Sequence, residues 1–309
     1  MKKIGILLAV LAVFALGAGV FASDLFSEDR ARLINDELVP LGNSQAAYTI
    51  ASIDRTQNVV RSTTTQAGTL EIDESSVNQG IVAVKLDHNG QNKIKISLKL
   101  GEQQVYYNYL KPGEYETFPL VFGNGFYEVA VLENTTGNSY KVLEKMNVTV
   151  KLNDENLPFL HSVQPVRWTL EDESSQLASD LTRGLQTDSE KFMAIYRYVA
   201  ENLQYDHDKI DGLDYSYVPV NQNTLESQGG ICYDYASLMA SMLRSVGIPT
   251  KLVKGYGDFQ PEVYHAWNEV LLNGQWILVD ATYDSQQLDN GRGVDVVKDS
   301  STYQIVSVY

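Results

Sequence analysis

Cys232 is the single cysteine among 309 residues, set in "SQGGICYDYASLMASMLRSVGIP" behind two glycines and at the start of a helical pattern. One cysteine cannot close an internal disulfide, so its use is as an inert, intermolecular or reactive thiol. A helix start suits a thiolate, because unpaired backbone N–H groups and the helix dipole favour negative charge there. The chemistry such a thiol supports is acyl transfer, which needs a base, a group to orient that base, and donors for an oxyanion. Gly229 and Gly230 would leave room for a substrate backbone, and the N–H of Cys232 would serve as one oxyanion donor. The preceding "LDYSYVPVNQNTLESQGG" is expected to line the cleft and supply a second donor.

Four histidines are available as the base, and a hairpin selects among them. "YHAWNEVLL" and "QWILVDATYD" flank Asn273-Gly274, the strongest short-range signal for a two-residue turn. Leu272 then faces Gln275, Trp267 faces Asp280, and His265 faces Thr282, all but the first pair on one sheet face. His265 and Asp280 become diagonal neighbours with Cα atoms roughly 7–8 Å apart, within reach of a carboxylate–imidazole hydrogen bond. A carboxylate there would fix the tautomer and stabilise an imidazolium. A register slip of one residue would destroy the arrangement.

The order Cys232, His265, Asp280, carried by "GGICYDYASLMASMLRSVGIP", "HAWNEV" and "GQWILVDATYD", resembles the transglutaminase-like superfamily. The family pattern is Gly-x-Cys on a helix, His-Ala-Trp on a strand, and Trp-x-x-x-Asp-x-Thr on the next; the match runs from about Leu185 to Asp284. It looks like the exported bacterial branch, in which such a core often follows a β-rich region. The resemblance implies a papain-like fold with Cys232 as nucleophile, His265 as base and Asp280 as its partner. The superfamily includes protein cross-linkers, proteases, amidases and relatives that have lost the triad. The resemblance therefore leaves two readings: a thiol-dependent acyl-transfer enzyme acting on a glutamine side chain or peptide bond, or a non-catalytic surface or wall-associated binding protein. The chemistry calls for no cofactor and no metal. The expected partner is a protein or peptide substrate, cell-wall peptide among the candidates.

The elements that must position these residues are legible from pattern. "TDSEKFMAIYRYVAENLQYD" opens on a capping signal and puts Phe192, Ile195, Val199 and Leu203 on one helical face. The Cys232 helix carries Leu238, Met239, Met242 and Val246 on one stripe and stops at Gly247 and Pro249. Before them, from about residue 69, short β-branched and aromatic runs are separated by Asn-Gly, Pro-Gly and Gly-Asn-Gly, the pattern of an antiparallel sandwich of Ig-like size. In "KIKISLKL" Ile94, Ile96, Leu98 and Leu100 alternate with Lys93, Lys95, Ser97 and Lys99, giving one core face and one wet face. The fold class expected is α+β: a signal peptide at 1–22, a linker or extension at 23–68 that includes "RTQNVVRSTTTQAG", a β-sandwich domain at 69–153, and a transglutaminase-type core at 154–309.

The opening "MKKIGILLAVLAVFALGAGVFAS" has the layout of a secretory signal, so a secreted protein is expected, with no membrane segment in the mature form. Removing Lys2 and Lys3 would take the formal charge from −15 to −17, which opposes binding to nucleic acid or anionic membranes. The acidic run "YDHDKIDGLDYSY" departs from calcium-loop spacing and reads as a solvated loop. Trp267 and Trp276 read as core aromatics. Taken singly, a buried cysteine is more often a small apolar residue than a nucleophile; the glycines, the helix start and the His–Asp hairpin together reverse those odds.

Overall fold

The computed structural model describes residues 60–309 apart from 89, 91 and 215. The export signal and most of the expected linker lie outside the described residues. The part of that linker within them is not irregular: Val60–Thr65 (β1) pairs antiparallel with Gly68–Asp73 (β2). Its alternation is hidden in the sequence by threonine and serine, which strands accept as readily as apolar residues on a half-wet edge.

The sheet continues through Ile81–Leu86 (β3) and Glu116–Pro119 (β6) in the order β1-β2-β3-β6. A second sheet orders Gln103–Tyr109 (β5), Ile94–Leu100 (β4), Gly125–Thr136 (β7) and Ser139–Val150 (β8), again antiparallel. Both bury one face in a common core that joins Ile72, Val84 and Phe118 of the first sheet to Ile96, Val129 and Val148 of the second. The alternation read in "KIKISLKL" places Ile94, Ile96 and Leu98 in the core, but Ser97, expected on the wet face, is buried as well, its Oγ accepting from Gln104 Nε2 (2.7 Å), and Leu100 at the strand end is half-buried.

The remaining chain builds helices against a third antiparallel sheet. The helices are Glu173–Leu181 (α1), Asp188–Asn202 (α2), Asn221–Ser227 (α3), Cys232–Ser245 (α4) and Ala281–Asp289 (α5). The sheet orders Gln275–Val279 (β13), His265–Leu272 (β12), Thr250–Gly257 (β11) and Tyr303–Val308 (β14). A short parallel pair joins Gln204–Tyr205 (β9) to Gly229–Gly230 (β10). α2 starts on a reciprocal cap: Glu190 N–H donates to Thr187 Oγ1 (3.2 Å) and Thr187 N–H to Glu190 Oε2 (2.9 Å). Its Phe192, Ile195, Val199 and Leu203 meet Leu238, Met239, Met242 and Leu243 of α4 in one core, each such side chain contributing roughly 1.5–3 kcal/mol on burial.

α4 is enclosed on all sides from Asp234 to Arg244. Its small residues Ala236 and Ala240 face Leu252 and Ala266 of the sheet. Asn268 locks that contact, its Nδ2 donating to the carbonyls of Ala236 (3.0 Å) and Lys251 (3.1 Å). Arg244, fully buried, donates to the carbonyls of Thr250 (2.9 Å), His161 (2.8 Å) and Tyr309 (3.0 Å). The helix is thus fixed in rotation and depth, and its first residue is held at the end of β12 where His265 begins.

Candidate active site

Cys232 is a free, half-buried thiol at the first position of α4. Asp234, two residues on and fully buried, sets that position. Its carboxylate accepts from Ile231 N–H (2.8 Å), from Lys209 Nζ (2.7 Å) and from the Tyr217 hydroxyl, so one side chain caps the helix and ties Lys209 and Tyr217 to it. The two glycines serve this arrangement. A Cβ on Gly230 would lie 2.6 Å from Asp234 Cβ and 2.7 Å from its Oδ2, and one on Gly229 would meet the Gln204 carbonyl at 3.0 Å. Space for Asp234 and for the β9 backbone therefore accounts for them, in place of the substrate approach expected from sequence. Of the stretch expected to line the cleft, Tyr217 packs edge-on against Tyr233 at 6.2 Å, beside the thiol.

The hairpin forms in the expected register: Leu272 pairs with Gln275 and Asn268 with Val279, across a turn with positive φ at Asn273 (50°) and Gly274 (80°). The expectation fails beyond Val279, where β13 ends. Asp280 is the N-cap of α5, its Oδ1 accepting from Tyr283 N–H (2.9 Å), and Thr282 lies in the helix rather than opposite His265. The chain leaves the sheet because an aspartate three residues before an available N–H caps a helix as well as it ends a strand. The His265–Asp280 contact survives this change: Nε2 stands 2.7 Å from Asp280 Oδ2. That bond leaves Nδ1 free of Asp280, and the Cys232 side chain also acts on the imidazole, helping to hold its proton.

The electrostatics follow from burial. His265 is 9% exposed and Asp280 fully buried. Desolvation by itself would lower the imidazole, but the Asp280 charge and hydrogen bond prevail, with Cys232 adding to them, and His265 is pushed up to about 10. Asp280 is held below its ordinary range: burial raises it, and the imidazolium, Tyr283 N–H and the Tyr303 hydroxyl more than offset that. Tyr303 Oη donates to Asp280 Oδ2 at 3.0 Å. Around the ring, Phe259 sits edge-on at 5.4 Å and Trp267 stacks at 6.1 Å.

Tyr303, Phe259 and Asp234 were missed in the sequence. Only Asp234 left a local signal, an acid at the third position of the helix it caps. Trp267 is core, as expected. Trp276 is not: it is half-buried, with the Lys251 ammonium 3.9 Å from its ring centroid, and it lines a surface cleft with Phe122 and Glu155. The acidic run caps its own turns, Asp206 accepting from Lys209 N–H (3.0 Å) and Asp214 from Ser216 N–H (2.7 Å). Among the described residues no group of three or more His, Cys, Asp or Glu side chains is placed to hold a metal ion.

A thiol, an imidazole and a carboxylate are thus drawn from a helix start, a strand start and a helix cap, the imidazole and carboxylate joined by a hydrogen bond. Comparison with known proteins gives the same region a family. Residues 175–281 match the family model described as "Transglutaminase-like superfamily". Kyphoscoliosis peptidase of Mus musculus is 32% identical over 125 residues, 37% of this chain and 19% of the relative. A Bacillus subtilis (strain 168) protein named uncharacterized protein YebA is 28% identical over 162 residues, 46% of this chain and 22% of the relative. The chain thus spans about a fifth of the length of these curated relatives. A solved structure from Cytophaga hutchinsonii, described as a candidate cysteine protease, aligns with a TM-score of 0.40 at 16% identity, over 71% of this chain and 81% of that one. Residues 175–281 are a domain of the transglutaminase-like superfamily.

Proposed function

We propose that this protein is a secreted thiol-dependent acyl-transfer enzyme, with Cys232 as nucleophile, His265 as base and acid, and Asp280 as the group that orients His265. The single observation that carries the reading is the buried His265–Asp280 pair at 2.7 Å, with the Cys232 side chain adding to the rise of the imidazole. In the first step Cys232 Sγ, its proton on the imidazole, forms a bond to the acyl carbon. As the tetrahedral intermediate collapses, the C–N bond breaks and His265 gives its proton to the departing amine. Water or a second amine, deprotonated by the same imidazole, then displaces the thiolate from the thioester. The substrate class is a protein or peptide, attacked at a glutamine side-chain amide or a backbone amide. The peptidase name of the mouse relative favours the backbone. Export rests on the N-terminal residues, and the acidic charge disfavours nucleic acid as a partner.

The test is alkylation by iodoacetamide across pH. Labelling of Cys232 should remain fast well below pH 8 and fall at least about tenfold at pH 6.5 in His265→Ala. Ordinary free-thiol behaviour in both proteins refutes the reading. Mass spectrometry of a glutamine-containing peptide then separates deamidation, cross-linking and backbone cleavage by product mass.

A further inference from the structure

Lys254 lies in β11, paired with Ala266 of β12 and Ser307 of β14. Two residues earlier on the same face of the strand, Leu252 packs with Ala266, Ala236 and Ala240 in a cluster that Cys232 and Tyr233 border. The lysine stem therefore runs between the sheet and the first turn of α4. Its ammonium stands 3.3 Å from the ring centroid of Tyr233, the residue next to the thiol, and 5.4 Å from that of Tyr309. Other lysines of this region have carboxylates: Lys209 has Asp234, Lys251 has Glu269 and Lys298 has Asp284. Lys254 has none among the described residues. Burial pushes it down to about 8, and the one charge opposing that fall is Cys232.

A half-buried cation with aromatic faces and no carboxylate partner is costly to keep. The aromatic rings offset part of that cost; an anion formed next to it offsets more. The other titratable groups facing the thiol do not supply a second cation. From β12 there is His265, whose proton is the one the thiol gives up. From β9 there is Tyr205, raised to about 12 by burial and then by the Cys232 charge. From α4 there are Tyr233, raised by burial, and Asp234, already bound by Lys209 and Tyr217. Tyr309, raised to about 12, stands beyond the end of β14.

We propose that Lys254 is the counter-cation of the Cys232 thiolate, a second positive charge that keeps the sulfur ionised independently of the imidazole. The inference rests on the triad reading above. It implies that, in the free enzyme, the thiolate survives when His265 is neutral, outside the thiolate–imidazolium pair.

The experiment is the pH dependence of iodoacetamide alkylation in the full chain, for the native protein, Lys254→Met, Lys254→Arg and His265→Ala. We expect Lys254→Met to move the half-maximal point up by about one pH unit, read as about tenfold slower labelling at pH 6, and Lys254→Arg to stay within about twofold of native. The reciprocal measurement needs no change at Lys254: its side-chain NMR titration should move to lower pH in Cys232→Ser, because the anion that supported it is gone. An activated native thiol with an unchanged profile in Lys254→Met, or an unmoved lysine titration in Cys232→Ser, overturns the assignment of Lys254 alone. A native thiol that alkylates like free cysteine overturns the triad reading, and this one with it.

Discussion

Replacing Asp280 by asparagine removes a charge while keeping the shape. The carboxylate is fully buried and accepts from His265 Nε2 at 2.7 Å, Tyr303 Oη at 3.0 Å and Tyr283 N–H at 2.9 Å. An amide keeps the helix cap through its oxygen but turns its NH2 toward His265. The imidazole must then present Nε2 as an acceptor and place its proton on Nδ1, so that neither nitrogen is left to receive the thiol proton. The rise of His265 from 6.5 to about 10 corresponds, at about 1.4 kcal/mol per unit, to roughly 5 kcal/mol. Breaking one side of a buried ion pair costs about 3–5 kcal/mol by mutation, so a loss in that range is expected. The pH window follows from the sign. A histidine raised in the folded state contributes its full stability below about 6.5, and that contribution is lost as pH climbs through about 10. At pH 6 Asp280, held below 3.8, is also charged. Urea unfolding followed by tryptophan fluorescence should therefore separate Asp280→Asn from native most at pH 6 and least near pH 10. Iodoacetamide labelling at pH 6.5 should fall by at least about tenfold. Asp280→Ala should lose about 1 kcal/mol more, the value of the cap. A native-like urea midpoint at pH 6 together with native labelling in Asp280→Asn would refute the reasoning.

Two further outcomes follow from packing and burial. Gly230→Ala places a Cβ 2.6 Å from Asp234 Cβ, so it should destabilise by about 1–3 kcal/mol and slow Cys232 labelling; Gly229→Ala should cost less, and the reverse order of urea midpoints would contradict this account of the glycines. His161 is pushed down to about 4 by burial and then by the Arg244 charge. Unfolded, it takes up a proton near 6.5 that the folded chain does not, so stability should rise with pH between about 4 and 6.5. His161→Gln should flatten that rise by about 3 kcal/mol, measured as the difference in unfolding free energy across the window.

The sequence reading and the structure agree where the controlling physics is local. The α2 cap, the apolar stripe of α2 and the Asn273-Gly274 turn each depend on residues within a few positions of one another, and each forms as read. The reading fails where the deciding partner is remote. β14 was not expected, because Tyr303–Val308 becomes a strand through its pairing with β11 some fifty residues earlier. The Gly-Gly pair was assigned to substrate, because Asp234 reaches Gly230 only once α4 has formed and turned its first-turn acid back over it. Strand β1 was read as linker, since its alternation is written in threonine and serine.

By itself the sequence determined which side chains are available and how two of them are related. A single thiol stands at a helix start, and a two-residue turn of fixed handedness ties the register of His265 to that of the strand leading into Asp280. Turn geometry and period-two alternation are short-range, so they can be read without a fold. Only the tertiary structure decided how Asp280 meets the imidazole, as the cap of a helix instead of a residue of the strand. It also decided that Tyr303 arrives on the same carboxylate from the far edge of the sheet, and that Lys254 comes to lie over Tyr233. Those contacts depend on the burial of α4 against β11 and β12, and desolvation makes each unpaired polar group at that interface choose a partner that no local pattern names.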